Sequence, residues 1–425
     1  MSLKYQKITG TNDLLPPEIY MWQYMEDSAR KLFHTFCFQE IRTPVIENTE
    51  LFVRSVGQET DIVEKEMYTF VDKDEKSVSL RPEETAGVVR AYLENGLYSL
   101  QSLNKLYYIG PMFRRERPQQ GRYRQFHQIG AEVIGSSLPC IDAENIIWLI
   151  EYFKILKVKD IILHLNSSGC SKCKPGYILA LKEKLDPKIK SMCPDCQRRY
   201  KRNIFRLLDC KQDSCKAIIS ELPVIADYMC SECSTHFDEL KKLLDSEGIA
   251  YHLNPHLVRG IDYYTKTVFE FIHKGLGSQN TVAAGGRYDM LVQDMGGIPT
   301  GAFGFSIGEE RLAMLLEKTE GIVFPRPKIN VYLVSLDDDS YKRNLKLLYQ
   351  LRRVGIISEI DYEQKSLKAQ MRSANKLSAD YVVLRGSNEM QEGVVTLKDM
   401  QNGTEEKISE NAIESLLLKK INSIH

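Results

Sequence analysis

The chain has no excess charge of either sign and lacks the segments that mark secreted or membrane proteins. Its 425 residues include 57 basic and 57 acidic side chains, so the formal net charge is zero. A neutral chain has no global attraction for polyanions, and any nucleic-acid binding must come from local basic patches. The sequence shows neither a secretion signal nor an apolar run long enough to cross a bilayer. These absences predict a cytoplasmic protein without a membrane partner, and the length predicts two or three domains.

Cysteine is almost absent outside one segment. Of the ten cysteines, only Cys37 and Cys140 lie outside residues 170–233. In a reducing compartment, such clustering indicates a metal site or free thiols rather than disulfides. Basic residues are also concentrated there, between Lys182 and Arg206. They are compatible with contacts to an RNA backbone and equally with a solvated helix face.

The spacing of these cysteines is typical of zinc sites. Two Cys-x-x-Cys pairs flank residues 174–192, and such pairs let two thiolates reach one tetrahedral ion. The predicted structural zinc site consists of Cys170, Cys173, Cys193 and Cys196. The remaining four cysteines of the segment predict a second site, composed of Cys210, Cys215, Cys230 and Cys233. Reduced thiols without a metal are an equally compatible interpretation.

The most informative stretch is a charged hairpin. Two runs of β-forming residues, 106–113 and 124–133, flank a loop that is rich in arginine and contains Gly121. An arginine side chain is a rigid fork of donors that matches phosphate oxygens. Such a loop on a rigid sheet is suited to holding a polyphosphate and its metal ion. A solvated hairpin tip is the alternative, and composition alone does not decide between the two.

The motifs decide in favour of ligand binding. Residues 113–118 read FRRERP and residues 121–128 read GRYRQFHQ, which resembles motif 2 of the class II aminoacyl-tRNA synthetases in its histidyl-tRNA synthetase form. Residues 257–265, LVRGIDYYT, and residues 283–289, AAGGRYD, resemble the two histidine-specific signatures of that family. Residues 301–311, GAFGFSIGEER, resemble motif 3. The four segments occur in the expected order along the chain.

The resemblance implies an α+β fold with four consecutive parts. An antiparallel sheet with flanking helices forms the class II catalytic core, a mainly helical module is inserted into it, and a C-terminal α/β domain binds the anticodon. The predicted bounds are 1–168 and 237–325 for the core, 169–236 for the Cys-rich basic insertion and 326–425 for the anticodon-binding domain. Alternating strand and helix patterns after Pro327 agree with a small α/β domain.

Residues near the N-terminus correspond to motif 1. Residues 18–36 have the pattern of an amphipathic helix, and residues 39–46 have the pattern of a strand that carries Pro44. In the family this helix and strand form the dimer interface, so the resemblance implies a homodimer. An ordinary edge strand is the alternative for residues 39–46.

The implied activity is the ligation of L-histidine to tRNA(His). ATP, accompanied by Mg²⁺, would activate histidine to histidyl-adenylate, releasing diphosphate, and transfer to the tRNA would release AMP, without editing. A non-catalytic paralogue that senses histidine and regulates ATP phosphoribosyltransferase is the main rival. The presence of Arg114, Arg259 and Arg311, with a complete C-terminal domain, argues against that rival.

By resemblance, the catalytic residues are Arg259 and Arg114. A guanidinium is always charged and can neutralise a pentavalent phosphorus, and in this family the arginine at position 259 stands where related synthetases place a magnesium ion. The ATP-binding residues implied by motifs 2 and 3 are Arg114, Glu116, Arg122 and Arg311.

A histidine pocket has to satisfy an imidazole ring. One ring nitrogen of a neutral imidazole donates a hydrogen bond and the other accepts one, so a carboxylate and a hydroxyl are suitable partners. Glu132 and Tyr264 take these roles by resemblance. The full implied histidine-binding set is Glu83, Glu84, Thr85, Arg114, Gln128, Glu132, Arg259, Tyr263 and Tyr264.

Two positions depart from the family pattern. Glu84 stands where glycine is usual, and Arg115 stands where histidine is frequent. We expect the Glu84 carboxylate to face away from bound histidine, so that only its backbone lines the pocket.

Overall fold

In the computed structural model, which describes residues 5–58, 60–277 and 280–422, the predicted hairpin lies within an eight-stranded sheet. The six inner strands pair antiparallel, whereas each outermost strand pairs parallel with its neighbour. This arrangement confirms the predicted α+β class. The order across the sheet is Gln39–Glu40, Asn104–Phe113, Gln125–Ile134, Ala302–Gly308, Thr281–Arg287, Thr265–His273, Ile161–Ser167 and His252–Leu253.

Alternation along the hairpin separates the two faces of this sheet. Tyr107 points to one face, where its ring stacks on Phe33 with a centroid distance of 4.4 Å, and Phe33 stacks on Trp148 at 3.9 Å. Leu106 and Tyr108 point to the other face and belong to a separate apolar cluster. The first face carries the main core, so the second face is available to form a binding cleft.

Helices cover the first face and border the second. A smaller antiparallel sheet, Ile46–Asn48, Ser77–Leu80 and Tyr68–Val71, lies beside them. Apart from the helices Lys174–Leu185, Pro194–Arg202 and Asp213–Ile219 of the Cys-rich segment, the α-helices up to Phe324 are Glu18–Thr35, Thr49–Val56, Thr85–Glu94, Leu97–Leu100, Pro139–Ile155, Ser231–Ser246, Leu291–Asp294 and Glu309–Leu316. A π-helical turn spans Ile62–Glu66 and a 3₁₀ turn spans Lys274–Leu276.

The prediction of one strand over residues 39–46 is wrong. The structure divides it into Gln39–Glu40, which pairs parallel with Leu106 and Tyr107, and Ile46–Asn48, which belongs to the smaller sheet. Pro44 lies between the two strands. Because proline has no N–H to donate to a ladder, the chain leaves one sheet before it and enters the other after it.

The Cys-rich segment is a helical module with its own core. It leaves the large sheet after Ser167, and its core contains Tyr177, Leu181 and Leu207 together with buried cysteines. Its helices are Lys174–Leu185, Pro194–Arg202 and Asp213–Ile219, with 3₁₀ turns at Ile189–Ser191, Ile204–Asp209 and Ile225–Tyr228. The helix Ser231–Ser246, which returns the chain to the core, begins inside the module, six residues before residue 237, where the second part of the core is predicted to start.

The chain divides into two compact units, and the second begins at Pro325. This unit contains a five-stranded sheet in the order Ser358–Ile360, Val331–Ser335, Tyr381–Arg385, Val394–Asp399 and Glu405–Ser409. The first three strands pair parallel and the last two antiparallel. Its helices are Asp338–Arg353, Leu367–Lys376, Ser387–Glu392 and Ile413–Asn422. Within the described residues, no helix is both long and apolar enough to span a membrane.

Candidate active site

A polar cleft opens on the second face of the large sheet. Its volume is about 980 Å³, counting the solvent at its mouth. The segments that line it are the hairpin, residues 259–264, the strand Thr281–Arg287 and the strand Ala302–Gly308 with the start of the following helix. Segments far apart in sequence therefore converge on one cavity.

At one end of the cleft, arginines form a cationic group. The Nε of Arg311 donates to the carbonyl oxygen of Gly121 at 3.0 Å, and an Nη donates to that of Thr281 at 2.7 Å. Burial, together with the charges of Arg122 and Arg114, lowers the pKa of Arg311 to about 10. A buried cation whose pKa is lowered by neighbouring cations favours an anionic ligand.

The other predicted ATP-binding residues lie in the same region. Arg122 forms an ion pair with Glu116 at 3.0 Å, and both side chains line the cleft. The Nε of Arg114 donates to the carbonyl oxygen of Pro82 at 3.0 Å, and its guanidinium lies 5.3 Å from the Phe126 ring centroid. These contacts leave the guanidinium of Arg114 fixed within the cleft.

Arg259 enters the cleft from the opposite side. It forms an ion pair with Glu270, which also accepts a hydrogen bond of 3.2 Å from the hydroxyl of Thr281. Its Nε is buried and has no hydrogen-bond partner among the described residues. Arg259 thus forms the ion pair expected of an ordinary buried arginine, on a side chain that also lines the cleft.

At the other end of the cleft, Glu132 is fully buried behind three residues that line the cavity, Thr85, Tyr108 and Tyr288, and does not line it itself. The hydroxyl of Thr85 donates to its carboxylate at 2.6 Å, that of Tyr108 lies at 3.5 Å, and that of Tyr288 is also hydrogen-bonded to it. Burial raises the pKa of Glu132 to about 8. A Cβ at Gly304 would fall 1.7 Å from the carboxylate, so a side chain there would displace Glu132 from this position.

Glu83 is the second buried carboxylate of the pocket. It accepts backbone N–H groups of Thr85 at 3.0 Å and Ala86 at 2.9 Å, at the start of the helix Thr85–Glu94. Burial raises its pKa, although these two hydrogen bonds act in the opposite direction. The hydroxyl of Tyr263 lies 3.5 Å from it. This corner can accept a hydrogen bond from an amino group.

The remaining predicted histidine-binding residues line the same cavity. Gln128 donates to the hydroxyl of Ser306 at 3.3 Å. Tyr263 and Tyr264 pack with their ring centroids 4.7 Å apart, and both face the cleft. Tyr108 and Tyr288 were not assigned as binding residues from sequence. Tyr288 lies within the second histidine signature, whereas only the face alternation of the hairpin could have indicated Tyr108.

The side chain of Glu84 does not line the cleft. Its carboxylate accepts from the hydroxyl of Thr43 at 2.5 Å and from Arg81 at 2.9 Å, behind the pocket wall. Burial raises its pKa to about 7. The expectation that this carboxylate faces away agrees with the structure, and its assignment to the histidine-binding set is corrected to a residue that supports the wall.

The cysteines form two clusters, but not in the predicted combination. Cys170 and Cys173 lie with Cys230 and Cys233, and a separate group contains Cys193, Cys196, Cys210 and Cys215. The prediction that Cys170, Cys173, Cys193 and Cys196 share one site is therefore wrong. The helix Lys174–Leu185 carries the chain away from the first pair, and the return helix brings Cys230 and Cys233 back to it.

Comparisons with known proteins agree with this geometry. The family model described as Histidyl-tRNA synthetase matches residues 10–312, and that described as Anticodon binding domain matches residues 330–420. The histidine–tRNA ligase of Syntrophotalea carbinolica is 47% identical, with 97% of this chain and 98% of the relative covered. That of Acetivibrio thermocellus is 46% identical, with 96% and 98% covered.

A solved structure is similar over nearly the whole chain. The crystal structure of apo S. aureus histidyl-tRNA synthetase matches with a TM-score of 0.82 and 34% identity, covering 97% of this chain and 99% of that one. Catalytic core, Cys-rich segment and C-terminal unit are all included in this match. The chain therefore belongs to the histidyl-tRNA synthetase family.

Proposed function

We propose that this single cleft carries out both steps of histidine–tRNA ligation with the residues described above. The observation that carries the proposal is the presence of two chemically different ends in one cavity. The arginine group is suited to a triphosphate, and the buried Glu132 is suited to an imidazole ring. A regulatory histidine sensor would need only the second end.

Histidine binds with its imidazole between Glu132 and Tyr264. The carboxyl group and the phenol hydroxyl supply one partner for each ring nitrogen. The α-amino group lies near Glu83 and Gln128, with the hydroxyl of Thr85 beside them. Analogues that cannot pair with these buried groups are rejected by roughly 10⁴-fold or more, which makes editing unnecessary.

ATP binds at the arginine end. Arg311 and Arg122 neutralise the phosphates, Glu116 contacts the nucleotide, and Mg²⁺ bound to the phosphates supplies further neutralisation. Glu116 and Glu310 are the carboxylates lining this end of the cleft that would hold the ion. Oxygen ligands of this kind fit magnesium.

Arg114 and Arg259 act on the reacting atoms. The histidine carboxylate attacks the α-phosphorus in line, forming the acyl–phosphate bond as the bond to diphosphate breaks. The two guanidinia, fixed on opposite sides of the cleft, stabilise the charge that develops on the phosphoryl oxygens. In the second step a terminal ribose hydroxyl of tRNA(His) attacks the acyl carbon, and AMP leaves.

Residues 330–420 bind the anticodon, and two copies of the chain associate through the motif 1 segments to form a homodimer in the cytoplasm. Structural zinc in the Cys-rich insertion completes the cofactors. Four thiolates leave no open coordination position, so zinc takes no part in the reaction.

The direct test is histidine-dependent ATP–pyrophosphate exchange, run separately with each of the twenty amino acids. We expect exchange with histidine alone. Histidine binding by calorimetry without exchange would contradict ligation and support the regulatory paralogue.

Replacing Arg259 should separate its catalytic role from its ion pair. We expect Arg259→His to lower the exchange rate by about 10³-fold, because a positive charge aimed at the phosphoryl group is lost. Glu270→Gln removes the ion pair but keeps the guanidinium, and serves as the matched control. Equal losses in the two variants would show that Arg259 acts only through Glu270.

Removal of the second unit should spare activation and impair charging. A chain ending at Phe324 retains every residue of the cleft, so its exchange rate should stay within about threefold of the full chain. Aminoacylation of tRNA(His) should fall by at least about 100-fold, since anticodon contacts are lost. Charging at the full-chain rate, measured with labelled histidine, would refute the assignment of the C-terminal unit.

The buried carboxyl group of Glu132 makes the stability of the protein depend on pH. The pKa of Glu132 is raised from 4.5 to about 8, so the folded protein holds a proton that the unfolded chain releases within this interval. Its contribution to stability is complete below pH 4.5 and is lost as the pH rises towards 8, by on the order of 1 kcal/mol per unit. In urea unfolding, Glu132→Gln should gain stability relative to wild type as pH rises from 5 to 8. If the difference in free energy of unfolding between Glu132→Gln and wild type did not change with pH, the raised pKa would be contradicted.

A further inference from the structure

We propose that the insertion binds two structural zinc ions, and that the first of them anchors the wall of the histidine pocket. The first ion is bound by the root cluster, Cys170, Cys173, Cys230 and Cys233. The second is bound by the nested cluster, Cys193, Cys196, Cys210 and Cys215, which lies between the two halves of the root cluster in sequence. The consequence for histidine binding rests on the function proposed above.

The sulfur positions in both clusters match a tetrahedral ZnS₄ site. Zn–S bonds of about 2.3 Å in a tetrahedron require sulfurs about 3.8 Å apart. The Sγ of Cys170 lies 3.6 Å from that of Cys173 and 3.8 Å from that of Cys230. The Sγ atoms of Cys193 and Cys210 are 3.8 Å apart, and all four atoms of each cluster lie within 4.8 Å of one another. Disulfide sulfurs would be about 2.05 Å apart.

Backbone groups around the sulfurs are arranged for thiolates. The N–H of Cys230 donates to the Sγ of Cys173 at 3.1 Å, and that of Lys172 donates to the Sγ of Cys170 at 3.4 Å. In the nested cluster, the N–H of Cys193 donates to the Sγ of Cys215 at 3.3 Å. Hydrogen bonds to ligating atoms are the usual second layer of a metal site and stabilise their negative charge. Four sulfur donors favour zinc over oxygen-preferring ions.

The module has a physical need for such cross-links. It consists of short helices and 3₁₀ turns, and five of its eight clustered thiols are buried in its core: Cys173, Cys196, Cys210, Cys215 and Cys233. A small unit with little apolar core gains stability from a metal that links distant positions of the chain. The root cluster joins the outgoing chain after Ser167 to the return helix Ser231–Ser246, which closes the module at its base.

The root cluster is linked directly to the histidine pocket. Lys174, next to Cys173, donates from Nζ to the carbonyl oxygen of Tyr264 at 3.0 Å. Two backbone hydrogen bonds join the same region to the neighbouring strand, from Ser168 to Lys266 at 2.6 Å and from Lys266 to Gly169 at 2.8 Å. Tyr264 lines the cleft, so the ion that fixes Cys173 also fixes this wall.

The nested cluster fixes a different contact with the catalytic core. Cys193 and Cys196 lie at the start of the helix Pro194–Arg202, whose last residue forms an ion pair with Glu64. Arg206, shortly after this helix, pairs with Asp61 at 3.2 Å. Asn203, directly after this helix, also donates to the carboxylate of Asp262 at 2.8 Å. Loss of the second ion should therefore loosen the basic side of the module without breaking the hydrogen bond from Lys174 to Tyr264.

Metal content of the wild-type protein tests the number of ions. We expect two zinc ions and less than a tenth of an iron per chain by plasma mass spectrometry, after purification with a reducing agent and without chelator. X-ray absorption at the zinc edge should show four sulfur neighbours at about 2.3 Å. One zinc or none per chain, iron in place of zinc, or intramolecular disulfides would each overturn the proposal.

Stepwise chelation of the wild-type protein tests the grouping. As zinc is withdrawn, alkylation read by mass spectrometry should label the cysteines in two sets of four that match the two clusters. Labelling of Cys170 and Cys173 together with Cys193 and Cys196 would contradict this grouping.

Zinc content of double variants tests the same grouping. Cys170→Ser with Cys230→Ser removes two ligands of the root cluster, and Cys193→Ser with Cys215→Ser removes two of the nested cluster, so each variant should retain one zinc. Cys37→Ser with Cys140→Ser, which changes only exposed thiols outside the clusters, should retain two.

The link to the pocket is tested by kinetics. Lys174→Met in zinc-loaded protein should raise the KM for histidine roughly three- to tenfold, with the KM for ATP changed less than twofold, because one hydrogen bond to the pocket wall is lost. The root-cluster variant should likewise raise the KM for histidine more than the KM for ATP, and the nested-cluster variant should not. Equal changes for both substrates would refute the link. Absence of all exchange in the wild type would instead refute the proposed function and leave the metal results unaffected.

Discussion

The close approach of two strands at Gly304 and Glu132 is the constraint on which the pocket depends. These residues are direct partners in the antiparallel register, and the absence of a side chain at Gly304 leaves space for the carboxyl group. A carboxyl in so enclosed a place is costly to ionise unless polar groups surround it. The hydroxyls of Thr85 and Tyr288 supply those groups from two other segments. One strand pairing therefore fixes where the helix Thr85–Glu94 and the second histidine signature have to lie.

The same strand connects the two ends of the cleft. The strand Gln125–Ile134 begins beside the arginine loop, carries Gln128 in its middle and presents Glu132 near its end. At about 3.3 Å per residue, Gln128 and Glu132 are separated by about 13 Å along the strand. Even-numbered residues share one face of the strand, so the amino-acid end and the nucleotide end are held on one rigid element. Such an element limits the relative motion of the reacting groups, which is how positioning lowers a barrier.

The sequence predicted the cleft well because its motifs are specific. The hairpin and the convergence of four segments follow from motifs whose residue types are dictated by ligand chemistry. Prediction failed where local signals were weak. Residues 405–409, EEKIS, form an exposed edge strand with little apolar alternation, and Tyr108 reads as an ordinary core aromatic. Residues 39–46 have strand-forming composition, yet Pro44 divides them between two sheets, which only tertiary structure could reveal.

The cysteine grouping shows the limit of spacing arguments most clearly. Two Cys-x-x-Cys pairs that are neighbours in sequence satisfy a zinc-ribbon pattern, but which pairs meet depends on how the intervening chain folds. Here the helix Lys174–Leu185 separates the first pair from the second, and Cys230 closes the root cluster only after the whole module has been traversed. A nested arrangement has a physical advantage over a sequential one. The outer cluster closes a long loop at its base, where loop closure removes most entropy from the unfolded chain, and the inner cluster can then order the short helices within it.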